Sequence, residues 1–204
     1  MFTGIVEGQA KVVAVKRKLN LYTLTLAQAK LFRKSRKGDS IAVDGVCLTV
    51  TGNSRGRVTF DLMKETLEST TFKNLRPGSR VNIEHCLKPT SPLGGHFVTG
   101  HIDGVGRLRA IVRKPNYVEF RISVKKDLMK YLVPKGSVAL DGVSLTVGKV
   151  RKDDFDVYLI PYTLAVTNLG TTRAGDSINV ETDILAKYIL GAQKRRGQAL
   201  QKLF

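Results

Sequence analysis

Three side chains with nucleophilic or acid–base chemistry stand at positions that the chain repeats. Cys47 and Ser144 occupy matched places in two similar segments 97 residues apart, and His101 is matched by Ile5 at an offset of 96. A thiol or hydroxyl can contact an electrophilic carbon, and an imidazole with an unperturbed pKa of roughly 6.5 can move a proton near neutral pH. The functional interpretation is two pockets of one shape with different chemistry. Drift between two copies of a strand and a loop is the alternative.

Other kinds of reactive site have little support in the sequence. The two cysteines, Cys47 and Cys86, form no CxxC pair, and His85, His96 and His101 lack the spacing of a zinc site. Neither GxxxxGK[ST] nor GxGxxG occurs, which argues against nucleoside triphosphates and Rossmann dinucleotides. We therefore expect no metal site.

An internal duplication accounts for these matched positions. Segments 40–50 and 137–147 are identical at eight of eleven positions, and Thr3 and Gly4 match Thr99 and Gly100. Self-similarity on this scale indicates two copies of one structural unit. The sequence predicts domains at residues 1–97 and 98–184, followed by a helical, basic tail at 185–204.

Each half has the pattern of a small β-structure. Segments 21–26, 58–62, 117–122 and 156–159 alternate apolar and polar residues, and Gly-rich turns separate them. The Asp-Gly pairs at 44–45 and 141–142 are foremost turn signals. Six or so short strands in each half are best accommodated by a closed antiparallel barrel, since closure removes exposed edges. Short helices are predicted at 29–35 and 126–132, and an amphipathic helix from 183 that includes Leu203.

The charge of the chain is high but evenly divided. Thirty-four Lys and Arg against seventeen Asp and Glu give a net charge of +17, of which residues 1–97 carry +9 and residues 98–204 carry +8. Basic clusters such as 33–37 and 194–196 are not interleaved with aromatic residues, which disfavours a nucleic-acid partner. No apolar run approaches the roughly 18 residues of a membrane span, and the start lacks signal-peptide features, so we expect a cytoplasmic protein.

Four segments, 1–8, 44–50, 94–104 and 135–147, resemble the riboflavin synthases of the alpha-chain type. The resemblance covers residues 1–190. It implies an all-β fold of two tandem six-stranded antiparallel Greek-key β-barrels with a C-terminal α-helix that helps three chains assemble. It also implies a cofactor-free reaction in which two molecules of 6,7-dimethyl-8-ribityllumazine dismutate into riboflavin and 5-amino-6-ribitylamino-uracil, with active sites between chains.

Carried over by position, the resemblance assigns roles to individual residues. His101 would assist proton transfer, and Ser144 and Cys47 would contact the reacting carbons. Phe2 would pack against a ring, and Lys135 and Asp141 would hold polar groups and the strand turn. The implied catalytic set is Phe2, Cys47, His101, Lys135, Asp141, Ser144 and Thr146. The implied substrate contacts are Gly4, Ile5, Val6, Ser40, Cys47, Leu48, Thr49, Asp61, Leu62, Met63, Lys64, Glu65, Thr66, Gly100, His101, Ile102, Lys135, Ser144, Leu145, Thr146, Ile160, Pro161, Tyr162 and Thr163.

Three other functions compete with this one. Relatives of the family hold a lumazine or flavin as an optical antenna, but their second half has eroded motifs, whereas 99–101 and 142–147 are intact here. A flavin-dependent reductase would need a nicotinamide site, and a nucleic-acid-binding barrel of the OB type is the third alternative. Tyr162 and Thr99 depart from the His or Glu and the Gln that are frequent in the family. The terminal helix could dock on its own barrel, and an association with lumazine synthase is a further expectation.

Overall fold

Alternating side chains decide where the strands of this protein form. A computed structural model describes residues 1–18 and 21–201. In β2 (Leu21–Ala27), Leu24 and Leu26 are fully buried, and Thr23, Thr25 and Ala27, which alternate with them, are partly exposed. Because successive side chains of a strand point to opposite faces, this pattern places one face in a core and the other toward solvent.

The first half folds into one closed barrel. Its other strands are β1 (Gly8–Lys18), β3 (Ser40–Val43), β4 (Val46–Ser54), β5 (Arg57–Met63) and β6 (Arg80–His85). All neighbours are antiparallel, in the order β1-β2-β5-β4-β3-β6 with β6 returning to β1. Helices α1 (Ala29–Phe32) and α2 (Lys64–Ser69) and a 3₁₀ turn at Thr71–Asn74 lie in its connections.

The second half repeats this topology. Its strands are β7 (Gly104–Arg113), β8 (Val118–Ser123), β9 (Ser137–Leu140), β10 (Val143–Val150), β11 (Asp154–Leu159) and β12 (Ser177–Thr182), with helices α3 (Lys126–Met129) and α4 (Pro161–Val166) and a 3₁₀ turn at Asn168–Thr171. Helix α5 (Ile184–Gln201) follows the barrel. The prediction of two tandem six-stranded antiparallel barrels with a C-terminal helix is confirmed.

Three apolar cores hold the protein together. One fills the first barrel and includes Phe60, and a second fills the second barrel and includes Phe155. The third lies between the barrels, where Phe2, Ala42, Val98 and Ala139 are buried against one another. Phe2 and Val98 exchange backbone hydrogen bonds of 2.8 and 3.1 Å, which ties the start of the chain to the linker between the barrels.

The helices differ in part from the sequence prediction. Helices α1 and α3 end at Phe32 and Met129, three residues before the predicted ends, and α2 and α4 were not predicted. Residues 202–204, including Leu203 of the predicted amphipathic helix, lie outside the described residues. Within residues 1–18 and 21–201, no helix is long and apolar enough to cross a membrane.

Candidate active site

Two Asp-Gly turns meet where the barrels face each other. Asp44 and Gly45 have φ values of 43° and 78°, and Asp141 and Gly142 have values of 44° and 78°. Positive φ at both central residues is what a two-residue type I′ hairpin needs. The turns approach so closely that a Cβ on Gly45 would lie 2.7 Å from the Gly142 nitrogen. Only glycine fits there, and the contact sets the strands that carry the candidate residues side by side.

A buried polar network surrounds these turns. The Asn82 N–H donates to Asp44 Oδ1 at 2.7 Å, and the Asn179 N–H donates to Asp141 Oδ1 at 2.8 Å. The Asn168 amide joins the two halves, since its Nδ2 lies 2.9 Å from Asp44 Oδ1 and 3.4 Å from Asp141 Oδ2. Burial raises the pKa of both carboxyls, and the pKa of Asp141 rises to about 7. The negative charge of Asp141 raises the pKa of Asp44 further.

Two loops cross from one barrel to the other. The Ser144 N–H in the second barrel donates to the Gly4 carbonyl at 2.8 Å, and the Cys47 N–H in the first barrel donates to the Gly100 carbonyl at 2.9 Å. Gly4 and Gly100 both have positive φ. A Cβ on Gly4 would lie 2.6 Å from the Cβ of Ser144, and a Cβ on Gly100 would lie 2.5 Å from the Cβ of Cys47. The loop that precedes each barrel therefore covers the candidate nucleophile of the other barrel.

Two glutamates hold these loops in matched positions. Glu84 Oε1 accepts hydrogen bonds from the Thr3 N–H at 2.6 Å and the Thr3 hydroxyl at 2.7 Å, and its Oε2 accepts from the Gly4 N–H at 3.0 Å. Glu181 makes the same three bonds to Thr99 and Gly100 at 2.6, 2.7 and 2.9 Å. No role was assigned to Glu84 or Glu181 from the sequence. Their identity at the 97-residue offset was the available signal.

Ser144 has an imidazole partner that the sequence did not reveal. His96 Nδ1 lies 2.7 Å from Ser144 Oγ, and His96 is 8% exposed. Gly95 makes the approach feasible, because a Cβ there would lie 2.9 Å from Ser144 Oγ. Burial lowers the pKa of His96, although Asp183 opposes the shift, so the ring is neutral near pH 7. Its Nε2 is buried and has no partner among the described residues.

The face around Cys47 has a different character. Cys47 is half-buried, and burial raises the pKa of its thiol, so the thiol stays protonated near neutral pH. His101 lies on the loop over Cys47, and its side chain is exposed. Its backbone N–H donates to the Thr99 hydroxyl at 3.4 Å. The Cys47 face thus has an exposed imidazole beside it, and the Ser144 face has a neutral Ser–His pair; that the two faces perform different chemistry stays a prediction.

The structure sorts the predicted substrate contacts into two faces. The Cys47 face combines strands β4 and β5 and the start of α2 with the loop at 100–102, whose Ile102 packs on the first core. The Ser144 face combines β10, β11 and the start of α4 with the loop at 4–6, whose Val6 packs on the second core. The outward-facing members are Cys47, Thr49, Asp61, Met63, Lys64, Glu65, Thr66 and His101 on the Cys47 face, and Ile5, Ser144, Thr146, Ile160, Pro161, Tyr162 and Thr163 on the Ser144 face.

Some predicted contacts point elsewhere. Leu48, Leu62 and Leu145 are buried within the barrels, because they alternate with the outward-facing residues, so only their backbone atoms are available to a ligand. Phe2 is 0% exposed in the contact between the barrels, so in this structure it anchors the Thr3–Gly4 loop instead of presenting its ring. Its contact with a bound ring stays a prediction.

Three further predicted residues lie at the edges of the faces. Ser40 begins β3 opposite Thr49. Lys135 is exposed in the turn before β9, with φ of 70°, where the first half has Gly38 with φ of 94°. Asp141 lies in the buried network, where it supports the turn that precedes Ser144, and its part in catalysis stays a prediction. No group of three or more potential metal ligands occurs within residues 1–18 and 21–201.

Comparisons with known proteins place this geometry in a family. The lumazine binding domain family matches residues 3–86 and again 99–183. The riboflavin synthase of Actinobacillus pleuropneumoniae is 41% identical over 93% of this chain and 88% of its own, and that of Bacillus subtilis is 38% identical over the same shares. A structure of LumP complexed with 6,7-dimethyl-8-(1'-D-ribityl) lumazine has a TM-score of 0.81 at 28% identity, and covers 89% of this chain and 99% of its own. The chain thus belongs to the riboflavin synthase family, with two lumazine-binding domains.

Proposed function

We propose that this protein converts two molecules of 6,7-dimethyl-8-ribityllumazine into riboflavin and 5-amino-6-ribitylamino-uracil by transfer of a four-carbon unit. The observation that carries the proposal is the pair of equivalent faces with unlike residues at Cys47 and Ser144. Two identical substrates that play unequal parts need two sites of one shape with different chemistry. The duplicated barrels and crossing loops supply that arrangement.

The chemistry needs no added cofactor. One lumazine loses a proton from its 7-methyl group, and its ring system holds the resulting charge. His101 is suited to accept or return that proton, since its exposed ring lies on the loop over Cys47. Ser144, held by neutral His96, would present its hydroxyl to the second lumazine. Cys47, as a protonated thiol, would contact the ring and not act as a thiolate.

The complete site would be shared between chains of a homotrimer. Leu185, Tyr188 and Ile189 on α5 are 55%, 73% and 59% exposed, at the i, i+3 and i+4 spacing of one helix face. An apolar face of this kind supports burial against another chain, and not docking on its own barrel. The two free thiols fit a reducing, cytoplasmic compartment. An association with lumazine synthase stays a prediction.

One assay tests the proposed reaction. Purified protein is incubated with 6,7-dimethyl-8-ribityllumazine alone, without metal, nucleotide or reductant, while riboflavin fluorescence is followed. We expect riboflavin and the pyrimidine product in equal amounts, with two lumazines consumed for each. The similarity to LumP makes an antenna the second candidate, and lumazine that binds without forming riboflavin would support it.

Variants at the matched positions test the roles. His101→Ala and Ser144→Ala should lower kcat by about a hundredfold, the usual scale for a positioned proton-transfer group, with smaller effects on lumazine binding. Ile5→Ala is the matched control for His101→Ala, because Ile5 holds the equivalent loop position and carries no proton. It should change KM more than kcat, and equal kcat values for all three variants and the unchanged protein would refute the assignment.

A further inference from the structure

A cleft of about 1160 Å³ opens on the first barrel beside α1. Five cationic side chains line it, namely Lys30, Arg33, Lys34, Arg36 and Lys88. All five are exposed, and none of them forms an ion pair with a residue in the described ranges. The cleft is therefore a concave surface on which the five cations outnumber the acidic side chains of Glu7, Asp39 and Glu84.

The acidic residues of the cleft are already engaged. Glu7 contacts His85, Asp39 Oδ2 accepts the Arg36 N–H at 2.7 Å, and Glu84 holds the Thr3–Gly4 loop. Of the three, Glu7 also feels the charge of Lys88, which helps to lower the pKa of Glu7. A bound anion would compete with Glu7 for Lys88, whereas Lys30, Arg33, Lys34 and Arg36 form no ion pair within the described residues.

The five equivalent positions of the second half do not carry this charge. At the 97-residue offset, the five cations correspond to Asp127, Lys130, Tyr131, Val133 and Leu185, which carry no net charge. Both halves fold into the same barrel, so the fold itself does not require the positive charge. At these five positions the positive charge occurs in only one of the two copies, as expected for a binding function specific to that copy.

A rigid frame lies under the cations. His85 Nε2 lies 3.0 Å from Ser35 Oγ, and His85 Nδ1 lies 3.0 Å from Glu7 Oε2. Asn53 Nδ2 donates to the carbonyls of Phe32 and Ser35 at 2.8 Å each. These bonds tie the segment after α1 to β4, β6 and the loop before β1. Arg33 and Lys34 thus project from fixed backbone, which reduces the entropy lost when they bind a ligand.

We propose that this cleft binds a phosphorylated ligand of about nucleotide size. Phosphate oxygens accept charge-assisted hydrogen bonds from several Arg and Lys side chains at once, and Arg can bind them in a bidentate way. The volume is on the scale of small-molecule sites. No Phe, Tyr or Trp lines the cleft, so it lacks the usual stacking platform of a single-strand nucleic-acid site. Its lining also includes Ile5 and Ser40, so it adjoins the proposed lumazine site, but the five cations have no assigned role in the lumazine reaction.

Isothermal titration of the full chain with inorganic phosphate, ribose 5-phosphate and adenosine monophosphate tests the proposal, with adenosine as the uncharged control. We expect the phosphorylated probes to bind and adenosine not to bind. The double variant Arg33→Glu with Lys34→Glu should weaken binding by about tenfold or more. The matched double variant Lys125→Glu with Lys126→Glu, which makes the same charge change near α3 on the second barrel, should stay within about twofold of the unchanged protein.

The outcomes separate a built site from general positive charge. Equal weakening in both double variants, or no binding of any phosphorylated probe, would overturn the proposal, as would binding of only a single-stranded oligonucleotide. Tighter binding of adenosine monophosphate than of phosphate would identify an organic monoester, and equal binding would identify phosphate itself. Lys88→Ala repeats the test from a different segment. Riboflavin formation by each variant is measured in parallel and should be unchanged, so failure of this site is distinct from failure of the lumazine reaction.

Discussion

At the scale of single residues, the Ser144–His96 contact gives the Ser144 face a dependence on pH. Burial lowers the pKa of His96 from its ordinary value of 6.5, so the ring takes up a proton only as the pH falls below that value. A neutral Nδ1 can accept the Ser144 hydroxyl proton, whereas an imidazolium can only donate. Turnover should therefore fall on the acidic side. His96→Asn keeps a hydrogen-bonding group near Nδ1 but cannot titrate, so it should lower kcat about five- to tenfold and flatten the acid limb of the pH–rate profile.

His85→Asn is the matched control for that substitution. His85 bonds to Glu7 and Ser35 and does not contact Ser144, so the acid limb should remain in this variant. The free energy of unfolding provides a second readout, and like turnover it should fall as the pH falls. Because the folded state binds the His96 proton less tightly than the unfolded chain, the neutral ring contributes stability above pH 6.5 that is lost as the pH falls. An acid limb that persists in His96→Asn would show that another group controls it.

At the scale of elements, the β3–β4 and β9–β10 hairpins meet through a carboxyl pair that resists ionisation. The pKa of Asp44 and of Asp141 is raised by burial, to about 7 for Asp141. Well below pH 3.8 both carboxyls are protonated in the folded and the unfolded states. As the pH rises through 3.8 the unfolded chain ionises first, so the carboxyl pair lowers the free energy of unfolding toward neutral pH. Asp44→Asn removes one titrating group and can keep the bonds from Asn82 and Asn168. At pH 8 its free energy of unfolding should exceed that of the unchanged protein by about 1.4 kcal/mol or more, the equivalent of one pKa unit.

The control for this prediction is Asp153→Asn, which makes the same charge change on an exposed turn residue. It should alter the free energy of unfolding by less than about 0.5 kcal/mol at either pH. Chemical denaturation at pH 4 and pH 8 measures both variants. If the difference in free energy of unfolding between Asp44→Asn and the unchanged protein is the same at pH 4 and pH 8, the two carboxyls ionise freely in the folded state.

The same elements show what the sequence could and could not predict. The strands were predictable because alternation follows directly from the geometry of a strand, and the Asp44-Gly45 turn because few residues adopt its backbone angles. Helices α2 and α4 were missed, since six residues are too few to display a helical period. The repeat showed that the Gly4 and Gly100 loops are equivalent, but equivalence does not reveal which barrel a loop contacts. His96 was missed because its role depends on a contact with Ser144 that joins residues 48 positions apart.

At the scale of the whole molecule, duplication places unlike residues at equivalent positions, Cys47 on one barrel and Ser144 on the other, which a single barrel could not do. The crossing loops make each face depend on both barrels, since Gly4 contacts Ser144 and Gly100 contacts Cys47. The halves carry net charges of +9 and +8, and five cations of the first half line one cleft beside α1. The net charge of +17 is thus a poor guide to partners, and the position of the charge is informative.

Assembly is the remaining property of the whole molecule, and helix α5 is where it can be tested. Leu185 and Ile189 are more than half exposed, and covering them with another chain would stabilise an oligomer by about 1.5 to 3 kcal/mol per fully buried side chain. Leu185→Gln with Ile189→Gln should therefore shift the protein from trimer to monomer in sedimentation and reduce turnover, because the proposed site lies between chains. Leu21→Gln with Val112→Gln, at exposed apolar residues on the barrels, should do neither. A monomer that retains full turnover would place the whole reaction within one chain.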